Sequence, residues 1–192
     1  MEYFDDPWKL FQLLAGIVGF CAYIPLTIAI LRGTARQSFA AFFLWGLLDA
    51  IAMISAILQN GNYWLAASNV AGAFFIAALL LYKKQFEWSP TETLTCLLVI
   101  VCLIIWYTSG NTGAIVASSV AVVMAGIPQM AHTMRQPQHT PVRVYLIWIS
   151  ANTISLFSAR AWSIDEAFYA ICGIVLCAVI LGIALLKSAQ NK

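Results

Sequence analysis

Asp49 is the one acidic residue in the interior of a long apolar run, with Leu47-Leu48 before it and Ala50-Ile51-Ala52 after it. A carboxylate at the centre of a membrane span costs about 2.5–3.5 kcal/mol to insert, so it needs compensation. The chemistry open to it is the binding and release of a proton, or pairing with an amine. The plain structural alternative is a neutral carboxyl hydrogen-bonded to the next helix. Asn152, in a second apolar run, presents a donor and an acceptor but cannot titrate, and Asn69 presents the same pair in a third. Trp45 and Trp148 stand one helical turn before Asp49 and Asn152. That spacing puts each ring on the same helix face as its polar neighbour, as a pocket wall requires. Pro25 and Pro128 each remove a backbone hydrogen bond and kink an apolar helix, which makes them candidate hinges. Gln129, beside Pro128, is placed to hydrogen-bond the carbonyl that the proline frees.

These residues fall into a register. Shift the chain without a gap by 103 positions, the separation of Pro25 and Pro128, and Arg32 falls on Arg135, Trp45 on Trp148, Asp49 on Asn152 and Ser55 on Ser158. Alanines and isoleucines match by chance in apolar chains. A proline, an arginine, a tryptophan and an acid/amide pair in one register imply an internal duplication. Asp49 and Asn152 then share geometry but not protonation chemistry, and Asn69 falls against Cys172, so its second half-site is missing.

The elements that would position these residues follow from composition. Of 192 residues, 62% are hydrophobic and 9% charged, against about 25% charged in a soluble domain. That is the composition of an all-α, multi-pass integral membrane protein. No stretch concentrates Lys and Arg, which speaks against a nucleic-acid partner. Seven runs approach the roughly 20 apolar residues that a spanning helix needs: near 8–31, 38–58, 63–82, 92–108, 112–134, 141–160 and 166–186. Turn or charge signals separate them at Arg32-Gly33, Asn60-Gly61-Asn62, Ser89-Pro90, Ser109-Gly110-Asn111, Gln136-Pro137 and Asp165-Glu166. Continuous runs without alternation exclude a β-barrel.

With seven alternating spans, Arg32, Arg36, Lys83, Lys84, Arg135, Arg143, Lys187 and Lys192 share one side, and only Lys9 and Arg160 the other. The positive-inside rule then puts the N-terminus outside and the C-terminus in the cytoplasm. Trp8, Trp88 and Trp162 near span ends read as interfacial anchors. The acidic start (Glu2, Asp5, Asp6) and the length of the first run predict a retained helix, not a signal peptide. The repeat divides the chain into a first three-helix unit (8–82), a linker helix (92–108) and a second three-helix unit (112–186). Three spans is an odd number, so the linker helix is what makes the two units parallel.

Pro128-Gln129 near the inner end of an outside-to-inside helix, then a short basic loop and a helix carrying a polar residue, resembles a PQ-loop repeat. The 3+1+3 arrangement, over about 8–186, is similar to the PQ-loop clan, which includes SWEET sugar transporters, cystinosin-like amino-acid transporters and the KDEL receptor. The first copy departs from the pattern, with Leu26 after Pro25. Leu47-Leu48-Asp49 looks like the Leu-Leu-Asp of cystinosin-like members, and Asn69 resembles the substrate-binding Asn on the third helix of SWEET-like repeats. The resemblance implies an alternating-access carrier of a small polar solute, proton-coupled through Asp49, for an amino acid or similar zwitterion. Asn69, Asn152, Trp45 and Trp148 would surround the solute, and Pro25, Pro128 and Gln129 would serve the gate. The alternatives are a SWEET-like sugar facilitator and a KDEL-receptor-like binding receptor.

An enzyme is not expected. Intramembrane proteases need a Ser/His or paired-Asp arrangement, and a retinal pump needs a lysine in the middle of the last span, where Lys187 lies at its end. No cofactor or metal is expected either. His132 and His139 have no acid or thiol nearby in sequence, and Cys21, Cys96, Cys102, Cys172 and Cys177 form no Cys-x-x-Cys pair and read as small core residues. The expected partners are a small-molecule solute, protons and the lipid bilayer of a bacterial inner membrane or equivalent. Homo-oligomerisation is left open.

Overall fold

Backbone groups inside a bilayer find no water, so long apolar runs satisfy them internally as helices. A computed structural model describes residues 7–86, 88, 90–160 and 162–190. Glu2, Asp5, Asp6, Ser89 and Lys192 lie outside the described residues, as do the side chains of Cys102 and Asp165. The described chain is all-helical: α1 (Pro7–Cys21), α2 (Tyr23–Leu31), α3 (Phe39–Leu58), α4 (Trp64–Tyr82), α5 (Pro90–Ala125), α6 (Ile127–Arg135), α7 (Val142–Phe157) and α8 (Ile164–Gln190), with one 3-10 turn at Pro137–His139. Among the described residues, five stretches are long and apolar enough to cross a membrane: Pro7–Leu31, Phe39–Leu58, Trp64–Tyr82, Ile115–Arg135 and Glu166–Gln190. The shorter α7, with 16 residues, is also apolar.

α1 and α2 are one helix interrupted at Ala22, and α5 and α6 are one helix interrupted at Gly126. Both interruptions have the same form. Ala22 N–H bonds Gly19 O at 3.3 Å and Gly126 N–H bonds Val123 O at 3.1 Å, three residues back instead of four. The normal spacing resumes with Leu26 N–H on Ala22 O and Met130 N–H on Gly126 O. Pro25 and Pro128 follow directly, and a proline cannot donate to the carbonyl four residues back, so the ladder gives way just before it.

The break expected at Ser109-Gly110-Asn111 is a bend in α5, with helix on both sides and through it. A Cβ built on Gly113 falls 2.4 Å from the Cβ of Ser109, where a straight helix keeps about 5–6 Å between such positions. Helix persists there because a glycine in a helix costs only about 1 kcal/mol relative to alanine. Unbonded backbone groups in an apolar medium cost more. A straight helix of 36 residues would run about 54 Å. Yet Phe86, just before α5, packs on Phe39 with ring centroids 5.2 Å apart, and Val122, near its end, accepts from Trp45. Both partners lie in the first two turns of α3, so α5 is not a straight rod.

Helix packing comes in pairs related by the shift of 103. α3 packs on α4 and α7 on α8; α1 on α4 and α5 on α8; α3 on α5 and α7 on α1; α2 on α7 and α6 on α3. Equivalent loops meet at one end of the bundle, where Arg36 N–H donates to His139 O at 3.2 Å and Tyr145 OH to Gln37 Oε1 at 3.1 Å. At the other end Asn62 Nδ2 donates to Ser155 and Ser158 Oγ at 3.0 and 3.3 Å, and Gln12 Nε2 to Ser158 O. Leu26, Ile30, Phe42, Leu48, Ile76, Leu80 and Ile180 are fully buried in the centre. The outer faces expose Leu14, Ile17, Ile28, Ile54, Phe75 and Val175, an apolar surface of the kind that a bilayer covers. Cys21 is exposed on this surface and Cys96 and Cys172 are half-buried, so only Cys177 of the described thiols matches the expected core placement. An apolar outer surface accepts a thiol as readily as the core does.

Candidate functional site

The helix sets α1–α4 and α5–α8 line a cavity of about 60 Å³, measured as the space open to the centre of a water-sized sphere. α3 supplies Phe42, Trp45 and Asp49, and α7 supplies Tyr145, Trp148 and Asn152 at the same spacing. Tyr23 enters from α2, Asn69 from α4, and Ser119 and Val122 from α5. α8 contributes a stripe that includes Tyr169, Gly173, Leu176 and Ile180, one face of a helix. Asp49, Asn69, Asn152, Trp45 and Trp148 are thus brought to one cavity. Pro25, Pro128 and Gln129 do not line it.

Asp49, 3% exposed, ends a chain of hydrogen bonds that crosses from one helix set to the other. Tyr23 OH donates to Asn69 Oδ1 at 3.3 Å, and Asn69 Nδ2 to Tyr169 OH at 2.9 Å. Tyr169 OH donates to Asp49 Oδ1 at 2.7 Å. Every donor points toward the carboxylate, which can only accept while ionised. Tyr23 reaches its place because Gly72 has no side chain; a Cβ there would lie 2.2 Å from the tyrosine ring.

The other side of the cavity carries buried polar atoms without a partner among the described residues. Asn152 Nδ2 donates to Trp148 O at 2.8 Å, which fixes the amide orientation, since an oxygen there would face another oxygen. Asn152 Oδ1 then has no hydrogen-bond partner among the described residues, nor do Trp148 Nε1 and Ser119 Oγ. These side chains are 4%, 7% and 0% exposed. An unmet buried polar atom costs about 1–3 kcal/mol, and three such atoms belong to residues that line this one cavity. Trp45 differs from its mate, because its Nε1 donates to Val122 O at 2.9 Å. The aromatic wall is continuous: Phe42–Trp45, Tyr145–Trp148 and Tyr23–Trp148 centroids lie 4.9, 5.4 and 5.1 Å apart.

Gln129 does something other than bond a carbonyl freed by Pro128. It is fully buried, and its Oε1 accepts the N–H of Ser38, the residue that caps α3, at 2.8 Å. Its Nε2 reaches Thr133 Oγ1 at 3.5 Å. The side chain points across to the other helix set, away from its own helix backbone, and so ties the start of α3 to α6.

Sequence reasoning missed Tyr169, Ser119, Tyr23, Phe42 and Tyr145. Phe42 and Tyr145 sit one turn before Trp45 and Trp148, and the stripe on α8 carries Tyr169, so helical spacing held the signal for these three. Compared with known proteins, the chain matches no family model, no curated protein and no solved structure.

Proposed function

We propose that this protein is an alternating-access membrane transporter of a small polar solute, coupled to protons through Asp49. In this reading 8–82 and 112–186 are two parallel three-helix units and 92–108 is the linker helix, with the N-terminus outside and the C-terminus cytoplasmic. The observation that carries it is the cavity: equivalent positions of α3 and α7 put Asp49 and Asn152 on its wall, beside unmet polar atoms. The paired packing of helices supports the duplication, and the meeting of equivalent loops at one end supports parallel units. The bend at 109–113 supports counting α5 as two crossings, which gives seven.

The chain Tyr23–Asn69–Tyr169–Asp49 links the two units, so a change in charge at Asp49 alters a contact between moving parts. Protonation also removes the cost of carrying a buried charge through a closed state. A SWEET-like sugar site is less well supported, because both ends of the Asn69 amide are engaged by tyrosines. The test is uptake of labelled amines, amino acids and sugars into proteoliposomes under an imposed proton gradient. Asp49→Asn should abolish gradient-driven uptake. Unchanged gradient-driven uptake in that variant overturns the coupling role and leaves a facilitator.

A further inference from the structure

The charge in the cavity is of one sign. Among the described residues Asn152 Oδ1, Trp148 Nε1 and Ser119 Oγ are buried without a partner, and the Asp49 carboxylate keeps lone pairs beyond the one that Tyr169 uses. No Lys, Arg or His lines it among the described residues, and Asp49 is the only charged side chain there. The wall is aromatic, and ring faces attract cations. A buried carboxylate on the solute would meet no positive group, and an unpaired buried charge is among the costliest things to place in a protein.

Resting on the reading of this cavity as the solute site, we propose that the solute is a small organic ammonium ion with no carboxylate of its own, and that it alternates with a proton at Asp49. The ammonium N–H groups suit the carboxylate, Asn152 Oδ1 and Ser119 Oγ, while its carbon skeleton lies on Trp148 and Phe42. One carboxylate accommodates one positive charge. When the ammonium binds, the Asp49 proton leaves to the water on that side; when it departs on the other side, a proton takes its place. The cycle exchanges one cation for one proton, charge for charge. The other titratable groups that line the cavity with Asp49 are Tyr23 from α2, Tyr145 from α7, and Tyr169, Cys172 and Cys177 from α8, with none from α4 or α5 among the described residues. Tyrosines and thiols do not gain or lose protons on the acid side of neutrality, so acid-side behaviour reports Asp49.

The experiment uses the purified full chain in lipid nanodiscs and four probes: phenethylamine, its neutral counterpart 2-phenylethanol, the zwitterion phenylalanine, and glucose. Binding is read by calorimetry and by thermal shift. Phenethylamine should bind at least about tenfold more tightly than the other three. Its affinity should fall by about tenfold per pH unit on the acid side, where the amine itself stays charged. Asp49→Asn should lose that binding, while Asp49→Glu, which restores the charge, should recover part of it. Tighter binding of phenylalanine, phenylethanol or glucose overturns the ammonium inference and leaves the transporter reading standing. Amine binding with no acid-side slope overturns the exchange. Failure of all four probes to bind, and to cross proteoliposome membranes bearing the protein, overturns the transporter reading as well.

Discussion

The tryptophans one turn before the two polar residues end in opposite states. Trp45 Nε1 donates to Val122 O, whereas Trp148 Nε1 is buried without a partner among the described residues. The cause lies at the helix interruptions. In the second unit the interruption is Gly126, and Trp45 lies against it, 3.5 Å from where a Cβ would be. The equivalent place in the first unit is Tyr23, whose ring meets Trp148 edge-on instead. The acceptor that would match Val122 O is Gly19 O, which already takes Ala22 N–H. The Trp45 indole is therefore satisfied across the boundary between the two helix sets, and the Trp148 indole is left without a partner among the described residues. Equivalent positions of α3 and α7 thus supply two similar walls that differ in which polar groups are bonded.

A second contrast works the other way. Gln129 accepts from Ser38 N–H, and the mirrored pair is Leu26 against Pro141. Proline has no N–H to donate and leucine has no acceptor, so the loss of one partner is matched by the loss of the other. Neither Leu26 nor Pro141 therefore presents a side-chain acceptor or an N–H that needs the other.

The largest effect should come from the polar pair. Asp49→Asn should lower phenethylamine affinity by at least about 100-fold and Asn152→Ala by about tenfold, since a lost charge pair outweighs a lost neutral hydrogen bond. Equal losses, measured by calorimetry, would break the contrast between a charge-bearing wall and a hydrogen-bonding wall.

Next in size is the inter-unit tie. Gln129→Leu strands a buried Ser38 N–H and should lower stability by about 1–3 kcal/mol in detergent unfolding. Leu26→Gln should destabilise by a similar amount, because it buries an amide and Pro141, which the shift sets against Ser38, has no N–H to give it. Adding Pro141→Ser to Leu26→Gln should recover about 1 kcal/mol relative to the sum of the two single changes. Additive behaviour would mean that the mirrored positions do not face each other.

Much of this was legible in the chain, for identifiable reasons. A lone acid in an apolar run stands out, and Trp45, Trp148 and Asn152 come with it through the repeat. Phe42 and Tyr145 share the same helix faces but do not contrast with their apolar neighbours. Tyr169 falls opposite Ala66, so a search for matching residues passes over it. Gln129 and Ser38 are 91 positions apart, a pairing that no local rule reaches. The bend at 109–113 was read as a gap because serine, glycine and asparagine mark a turn and a bent helix alike. Membrane surroundings favour the bent helix, which keeps its hydrogen bonds.

The smallest expected effect tests the tryptophan contrast itself. Phenylalanine keeps an aromatic ring and removes only the indole N–H and part of the ring area. Trp45→Phe strands Val122 O, a carbonyl whose helical donor, Gly126 N–H, is already bonded to Val123 O. That variant should lose about 1–2 kcal/mol of stability in detergent unfolding. Trp148→Phe removes a donor that has no partner, so the hydrogen-bond term favours the variant while the smaller ring costs some packing. The two nearly cancel, and Trp148→Phe should stay within about 0.5 kcal/mol of the parent. Because an ammonium ion uses the ring face and not the N–H, phenethylamine affinity in Trp148→Phe should change by less than about threefold. A large stability loss at Trp148 would mean that its N–H is engaged in the folded protein. A large affinity loss with stability intact would mean that the solute accepts from that N–H, which a carbonyl or a carboxylate does and an ammonium ion does not.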